Sequence, residues 1–293
     1  MMCAVKRALL PGIALILAAA ALPLCAQAPA QIAEVRDTLE RVGQHVAQFY
    51  ERARSIVCVE TVVIQEITSS FSFNGPSRQL KYELRIEWDP EDRALGGEAK
   101  IVRQLIAVGG RPPRSKDKPG CMDPKAEAQD WLAMLLPAHR GEYTFTWAGA
   151  GRTDGRPSVM LDYKALPAGP PSVVWTDDCI LLDLPGRSRG RVWIDAGTDD
   201  VLRLDSHLTG IEEFSPPRER RSYASQSLVL ERADTQVTYR PVVFHDPEET
   251  VLLPASIMST TILRSGATSS RVTQTFSDYR RFVTGGRVVK EGG

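Results

Sequence analysis

Four histidines are the first residues of this sequence to consider for acid–base or metal chemistry. His45, His139, His207 and His245 lie far apart along the chain. None of them belongs to an H-x-H or H-E-x-x-H pair, which are the arrangements that place two imidazoles on one zinc ion. The histidines therefore predict no metal site.

Three carboxylates are close together at Asp195, Asp199 and Asp200. Calcium prefers such oxygen ligands, but a loop of the EF-hand type needs more of them at a stricter spacing. We interpret this segment as a turn. A glycosidase-like Asp/Glu pair stays open from one sequence, although most acidic residues lie at predicted turns or on polar strand faces.

Nucleophile and phosphate motifs are also missing from the sequence. No G-x-S-x-G elbow occurs, and Cys58 lies in a predicted strand without a neighbouring base. The segment GAGRTDG at 149–155 fits neither G-x-G-x-x-G nor Walker A spacing, so it predicts a hairpin turn. We expect a protein that is not an enzyme and that uses no cofactor.

Residues 1–30 have the pattern of a cleaved signal peptide. Lys6 and Arg7 precede an apolar run that is short for a membrane span, and A-x-A sites end at Ala28 and Ala30. Cleavage after Ala30 is favoured because a cut after Ala28 would leave Pro29 first. Lipidation at Cys25 is disfavoured by the bulky residue before it. We expect an exported, periplasmic protein that does not span the membrane after cleavage.

The mature chain is almost neutral. Residues 1–30 hold two basic and no acidic residues, which leaves 34 Lys and Arg against 36 Asp and Glu, a net charge of −2. Such a chain has no long-range attraction for nucleic acid, so we expect no nucleic-acid partner. Disulfides form in an oxidising compartment, and the loop-like contexts of Cys121 and Cys179 favour that pair, with Cys58 as a buried small hydrophobic residue.

Two helices and a long series of strands are predicted around these residues. Apolar residues at spacings of three and four predict an amphipathic helix over 31–54. A second, shorter helix is predicted from Asp123 to Pro137. From Leu80 to Trp88 apolar and charged residues alternate strictly, which is typical of a strand with one buried face. In all we expect ten or eleven antiparallel strands in one domain over 31–283, followed by a flexible tail at 284–293.

The segment GRVWIDAGTDDVLRLDSHL, residues 190–208, predicts a β-hairpin. Its alternation places Val192, Ile194, Leu202 and Leu204 on one face, while Trp193 and the charged residues take the other. Trp193 and Arg203 are expected to stack across the pair of strands.

This hairpin, the preceding helix and the long series of strands resemble the periplasmic half-barrel superfamily of LolA, LolB and RseB. The resemblance rests on Gly190, Val192, Trp193, Ile194, Asp195, Val201, Leu202 and Arg203, and it covers mainly residues 140–282. It implies a mainly β (α+β) fold in which a strongly curved antiparallel sheet forms an incomplete barrel, with the two helices packed on it.

In that superfamily the concave face of the sheet holds acyl chains or a peptide of a partner. The resemblance therefore implies a ligand-binding face formed by Leu80, Tyr82, Leu84, Ile86, Trp88, Tyr143, Phe145, Trp147, Val192, Ile194, Leu202 and Leu204. Two hypotheses follow. The protein binds acyl chains or lipoproteins in an apolar concavity, or it has a filled core and recognises another envelope protein through a sheet edge or through the loops at 111–120 and 215–222.

Overall fold

One helix and thirteen strands form the part of the chain that the computed structural model describes, residues 29–53, 56–68, 70–87, 100–117, 131–175, 180–215, 227–245, 248–264 and 268–281. The elements are α1 (Pro29–Ala53), β1 (Ile56–Ile67), β2 (Phe73–Glu87), β3 (Lys100–Val108), β4 (Tyr143–Thr153), β5 (Arg156–Ala165), β6 (Ser172–Trp175), β7 (Ile180–Asp183), β8 (Ser188–Asp195), β9 (Val201–Leu208), β10 (Glu212–Phe214), β11 (Leu228–His245), β12 (Glu248–Arg264) and β13 (Ser269–Arg281).

Eleven strands form one antiparallel sheet, which confirms the predicted fold class. The order is β3-β2-β1-β13-β12-β11-β9-β8-β5-β4, with β10 paired to β11 beside this path. The sheet does not close into a barrel, because β3 and β4 are the two ends of the described order. A separate hairpin, β6–β7, forms the second sheet.

The amphipathic helix is present but begins slightly earlier than predicted, at Pro29. Its buried stripe is Val35, Leu39, Val42 and Val46. Ile32, which has the same spacing, is exposed. The stripe that packs on the sheet therefore starts one turn later than the sequence pattern indicated.

The predicted second helix differs from the structure. Its first residues, from Asp123, lie outside the described residues. Its described end consists of a short 3₁₀ helix, Ala133–Leu135, which is followed by another, Arg140–Glu142. Met134 and Leu135 are nevertheless buried in the main core, as the predicted apolar side of that helix required.

Arg140 joins this 3₁₀ segment to the middle of α1. Its Nη2 atom donates to the backbone oxygen of Leu39 at 2.7 Å and to that of Leu135 at 3.2 Å. The close approach is possible because α1 has a glycine at this point. A Cβ atom on Gly43 would lie 2.5 Å from Arg140 Nη2 and 2.9 Å from the Leu135 oxygen.

Gly43→Ala is therefore expected to destabilise the protein. In an exposed helix this change would stabilise by about 1 kcal/mol. Here the added methyl group overpacks the contact, which costs about 1–3 kcal/mol and leaves a net loss of up to about 2 kcal/mol. Urea unfolding should show a lower midpoint for this variant. Gly141→Ala is the control, since its Cβ would meet no atom within 4 Å; equal midpoints for the two variants would contradict the close contact.

Candidate functional site

A single row of side chains crosses the whole sheet on the face that α1 covers, which we call the inner face. Paired residues on neighbouring antiparallel strands lie side by side on the same face. Following the register from β3 to β4 gives Val108, Leu80, Val62, Gln274, Ile257, Val237, Leu204, Val192, Leu161 and Trp147. Nine of these ten side chains are apolar, so the inner face is a continuous apolar surface.

Helix α1 covers the part of the inner face that β4, β5, β8, β9 and β11 provide. Its four buried aliphatic residues belong to one core cluster with Leu161, Val192, Ile194, Leu204 and Val237. The strands β13, β1, β2 and β3 contribute separate clusters, around Phe276 and Leu84 and around Val62 and Tyr82. The inner face is therefore divided between a helix-covered half and a half formed by the first three strands with β13.

Polar contacts hold one side of α1 to the sheet. Arg41 pairs with Asp199 at 3.1 Å, and His45 Nδ1 lies 3.6 Å from Asp200 Oδ1. About two turns beyond His45, Arg52 lies 3.3 Å from the carboxylate of Glu249 on β12. Each pair is partly exposed to solvent, so each stabilises the contact between α1 and the sheet only weakly.

The segment with Asp195, Asp199 and Asp200 forms a turn, as predicted. Asp199 and Asp200 in this turn make the contacts with Arg41 and His45. Asp195 is buried; its Oδ1 accepts hydrogen bonds from the backbone N–H groups of Gly197 and Thr198, and its Oδ2 lies 2.7 Å from Arg156. The three carboxylates are thus engaged by the turn itself and by the helix. Among the described residues no group of three His, Cys, Asp or Glu side chains is placed to hold a metal ion.

The predicted ligand-face residues fall into the two halves of the inner face. Tyr143, Phe145, Trp147, Val192, Ile194 and Leu204 belong to or pack against the cluster under α1. Leu80, Tyr82 and Leu84 are buried on β2. Trp88 and the side chain of Ile86 lie outside the described residues, as do Cys121 and Cys179.

Leu202 takes a different position from the one predicted. The β8–β9 pairing has a bulge between Trp193 and Ile194, so that Val201 is the partner of Ile194. Val201 joins the cluster under α1 in its place, while Leu202 is buried outside that cluster. A period of two along the strand cannot reveal such an inserted residue.

A buried polar cluster on the inner face was not predicted. Glu60 on β1 has no exposed surface, and Arg103 on β3 is nearly buried. Arg103 Nε donates to Glu60 Oε2 at 2.7 Å and its Nη2 to Oε1 at 3.4 Å, while Gln274 Nε2 donates to Oε1 at 2.6 Å. The available signal was one lone charge in each of two largely apolar runs, VCVETVVI and IVRQLIAV.

The opposite face of the sheet carries the charged residues, as the alternation of the hairpin predicted. Trp193 lies between two guanidinium groups, with Arg203 at 4.7 Å and Arg191 at 5.8 Å from the ring centre. The stacking of Trp193 and Arg203 is therefore confirmed. Asp162 and Asp205 neutralise these two arginines, with N–O distances of 2.6 Å, so this face offers a mixed charge pattern.

Comparison with known proteins gives similarity only at the level of solved structures. No protein-family model matches the sequence, and no curated protein matches it. A DUF1329 family protein from Desulfovibrio piger has a TM-score of 0.40 and 11% identity, covering 85% of this chain and 94% of that chain.

Two further solved structures have similar TM-scores, sequence identities and coverage. A putative outer membrane lipoprotein-sorting protein domain from Vibrio parahaemolyticus has a TM-score of 0.36 and 12% identity, over 84% of this chain and 92% of the other. A LolA superfamily protein from Nitrosomonas europaea has 0.34 and 9%, over 82% and 94%. The last of these proteins belongs to the superfamily that the hairpin resembles. At this level of similarity the likeness does not indicate what this chain binds.

The Glu60–Arg103 pair is expected to behave as a buried ion pair when one partner is removed. Arg103→Met leaves the Glu60 carboxylate buried without its cation, which costs about 3–5 kcal/mol. The double variant Glu60→Leu with Arg103→Met removes both charges and should unfold within about 1–2 kcal/mol of the wild type. Urea unfolding of all three proteins measures both differences. Equal losses in the single and double variants would contradict a coupled pair.

Cys58 is expected to make stability fall at alkaline pH. Burial, with the nearby Glu60 charge, raises the pKa of its thiol from an ordinary 9.0 to about 12. Between these values the unfolded thiol loses its proton while the folded thiol keeps it, so rising pH favours unfolding. The slope reaches about 1.4 kcal/mol per pH unit. Unfolding between pH 9 and 11 should show this slope in the wild type relative to Cys58→Ala; parallel pH profiles would contradict it.

Proposed function

We propose that this chain is an exported binding protein without catalytic activity that holds an acyl chain, of a lipid or a lipoprotein, against the inner face beneath α1. The observation that carries the proposal is the row of nine apolar side chains that runs from β3 to β4. Helix α1 covers only part of that row, so the apolar surface extends beyond the strands on which α1 packs.

The apolar burial of helix α1 and that of a bound acyl chain contribute similar free energies. The four aliphatic residues of α1 that pack on the sheet contribute roughly 1.5–3 kcal/mol each, or about 6–12 kcal/mol together. An acyl chain of about twelve methylene groups contributes about 10 kcal/mol on the same scale. A ligand that enters between the helix and the sheet thus restores the apolar burial that is lost when the helix moves away. The weak polar contacts of α1 decide how readily the helix moves.

Export is supported by the signal-like segment at 1–30, with its two basic residues, apolar run and small-residue sites. No helix among the described residues is long and apolar enough to cross a membrane. The location that fits an acyl-binding protein of this kind is the cell envelope, where lipids and lipoproteins are the available ligands.

One observation favours the second candidate, a protein-interaction module with a filled core. Val192, Ile194 and Leu204 have no exposed surface, so the side chains of the chain itself already fill the helix-covered half. In this case another envelope protein would be recognised at a sheet edge, β3 or β4, or at the loop after β3. The described part of that loop is ordered by Arg111, which pairs with Asp117 at 2.8 Å through both carboxylate oxygens.

Acyl-chain binding separates the two candidates. The mature protein is titrated with a fluorescently labelled fatty acid, and the protein purified from its native envelope is measured by native mass spectrometry. The proposal expects saturable fluorescence and a bound mass that extraction identifies as a lipid or lipoprotein. A protein that takes up no fatty acid and carries no lipid would contradict it and leave the filled-core candidate.

Loosening α1 is expected to speed uptake. The double variant Asp199→Asn with Asp200→Asn removes the carboxylates that hold Arg41 and His45, and Asn tolerates the left-handed φ of 58° at position 199. Exposed pairs contribute about 0.2–1 kcal/mol each, or about 0.4–2 kcal/mol for the two, so the association rate should rise by about 2-fold to 30-fold.

Stopped-flow fluorescence with the labelled fatty acid measures this rate. Glu231→Gln is the matched control, because it removes a carboxylate from an exposed pair with Arg264 that does not touch α1. Equal rates in the wild type, the double variant and the control would show that α1 does not move during uptake.

A further inference from the structure

We infer that the cluster of Glu60, Arg103 and Gln274 anchors the polar end of the ligand, and that it selects a neutral hydrogen-bond acceptor, such as an ester or amide carbonyl, over a free carboxylate. This inference rests on the proposed acyl-binding function and adds the class of head group to it. The cluster lies in the half of the inner face formed by β13, β1, β2 and β3.

The position of the cluster is set by the register of three neighbouring strands. Arg103 on β3 is paired with Leu84 on β2, and Glu60 on β1 is paired with Tyr82 on β2. The Arg103 side chain therefore crosses β2 on the inner face to reach the carboxylate. Gln274, the one polar member of the cross-sheet row, completes the cluster from β13.

The guanidinium group retains unused hydrogen-bonding capacity. It has five N–H donors, and Glu60 accepts from Nε and from one Nη2 hydrogen. The three other N–H groups of Arg103 have no acceptor among the described residues. Since the side chain is 8% exposed and that of Glu60 fully buried, these donors are held at an apolar surface, where a hydrogen bond is stronger than in water.

The charge of the cluster decides which acceptor fits. Glu60 and Arg103 carry opposite unit charges, so their sum is zero before a ligand arrives. A free carboxylate would add an uncompensated negative charge to a buried region, which is strongly unfavourable. A carbonyl oxygen of an ester or amide accepts from the remaining N–H groups and leaves the sum at zero.

Stability alone gives no reason for the pair, because apolar residues of similar volume usually stabilise a protein as well as a buried ion pair does. Arg103 lies on the edge strand β3, and its neighbours across the sheet are the apolar Leu84 and Cys58. Binding of a ligand by Arg103 accounts for a guanidinium group in this apolar surface.

The test compares two ligands that differ only at the polar end. Dissociation constants for dodecanoic acid and methyl dodecanoate are measured at pH 8 by isothermal titration with the mature protein. Because the ester is also the more apolar ligand, the informative quantity is the change in the ratio of the two constants. Glu60→Gln removes the compensating charge, so the ratio should move toward the acid by about 10-fold, the usual effect of a hydrogen bond to a charged group.

Glu231→Gln is the control, since its carboxylate belongs to an exposed pair on Arg264, and it should leave the ratio unchanged. An unchanged ratio in Glu60→Gln, with both ligands bound by the wild type, would overturn the anchor while leaving acyl binding intact. Failure of the wild type to bind either ligand would overturn the proposed function and the anchor together.

A second variant keeps the test decisive if Glu60→Gln does not fold. Glu60→Leu combined with Arg103→Met removes both charges and leaves no buried ion unpaired. It should weaken ester binding by about 10-fold through loss of the donor. Undiminished ester affinity in this variant would overturn the anchor.

Discussion

The need to keep one face of a wide antiparallel sheet away from water is the constraint on which the rest of this structure depends. Ten strands follow one another in the main order, and strands lie about 4.8 Å apart. A 25-residue helix is about 37 Å long. One helix of this length covers the inner face from β4 to β11 and reaches β12 through Arg52 and Glu249. The strands beyond it must bury their inner residues by other means.

The two halves of the inner face meet this need differently. Under α1 the solution is aliphatic packing, aided by a glycine that lets Arg140 reach a helix carbonyl. Beyond α1 a charged pair and an amide lie among apolar residues of four strands. The first arrangement fits a movable cover, and the second fits a fixed point that recognises a polar group.

The sequence was most informative where a period was long and unbroken. The alternation after Leu80 and the hairpin at 190–208 located two parts of the inner face, since only a side-chain period of two fits a strand with one buried side. It was least informative where the backbone departs from a period. The bulge at Leu202 and the 3₁₀ segment at 133–135 follow from tertiary packing.

The cluster of Glu60, Arg103 and Gln274 escaped prediction, and the reason is a different one. Glu60 and Gln274 are separated by more than two hundred residues, and they meet because β1 pairs with β13. Pairing between distant strands depends on the whole topology, which no local pattern contains. A lone charge in an apolar strand was a visible signal, but its partner was not.

The same β1–β13 pairing has a consequence for how the chain reaches its final structure. The hairpin β1–β2 and the series β4, β5, β8 and β9 are made from neighbouring segments, whereas β13 must lie between β1 and β12. The middle of the sheet is therefore assembled from the two distant ends of the described chain. Until β13 is in place, β1 and β12 present bare hydrogen-bonding edges, so an incomplete chain is prone to pair with a second copy of itself.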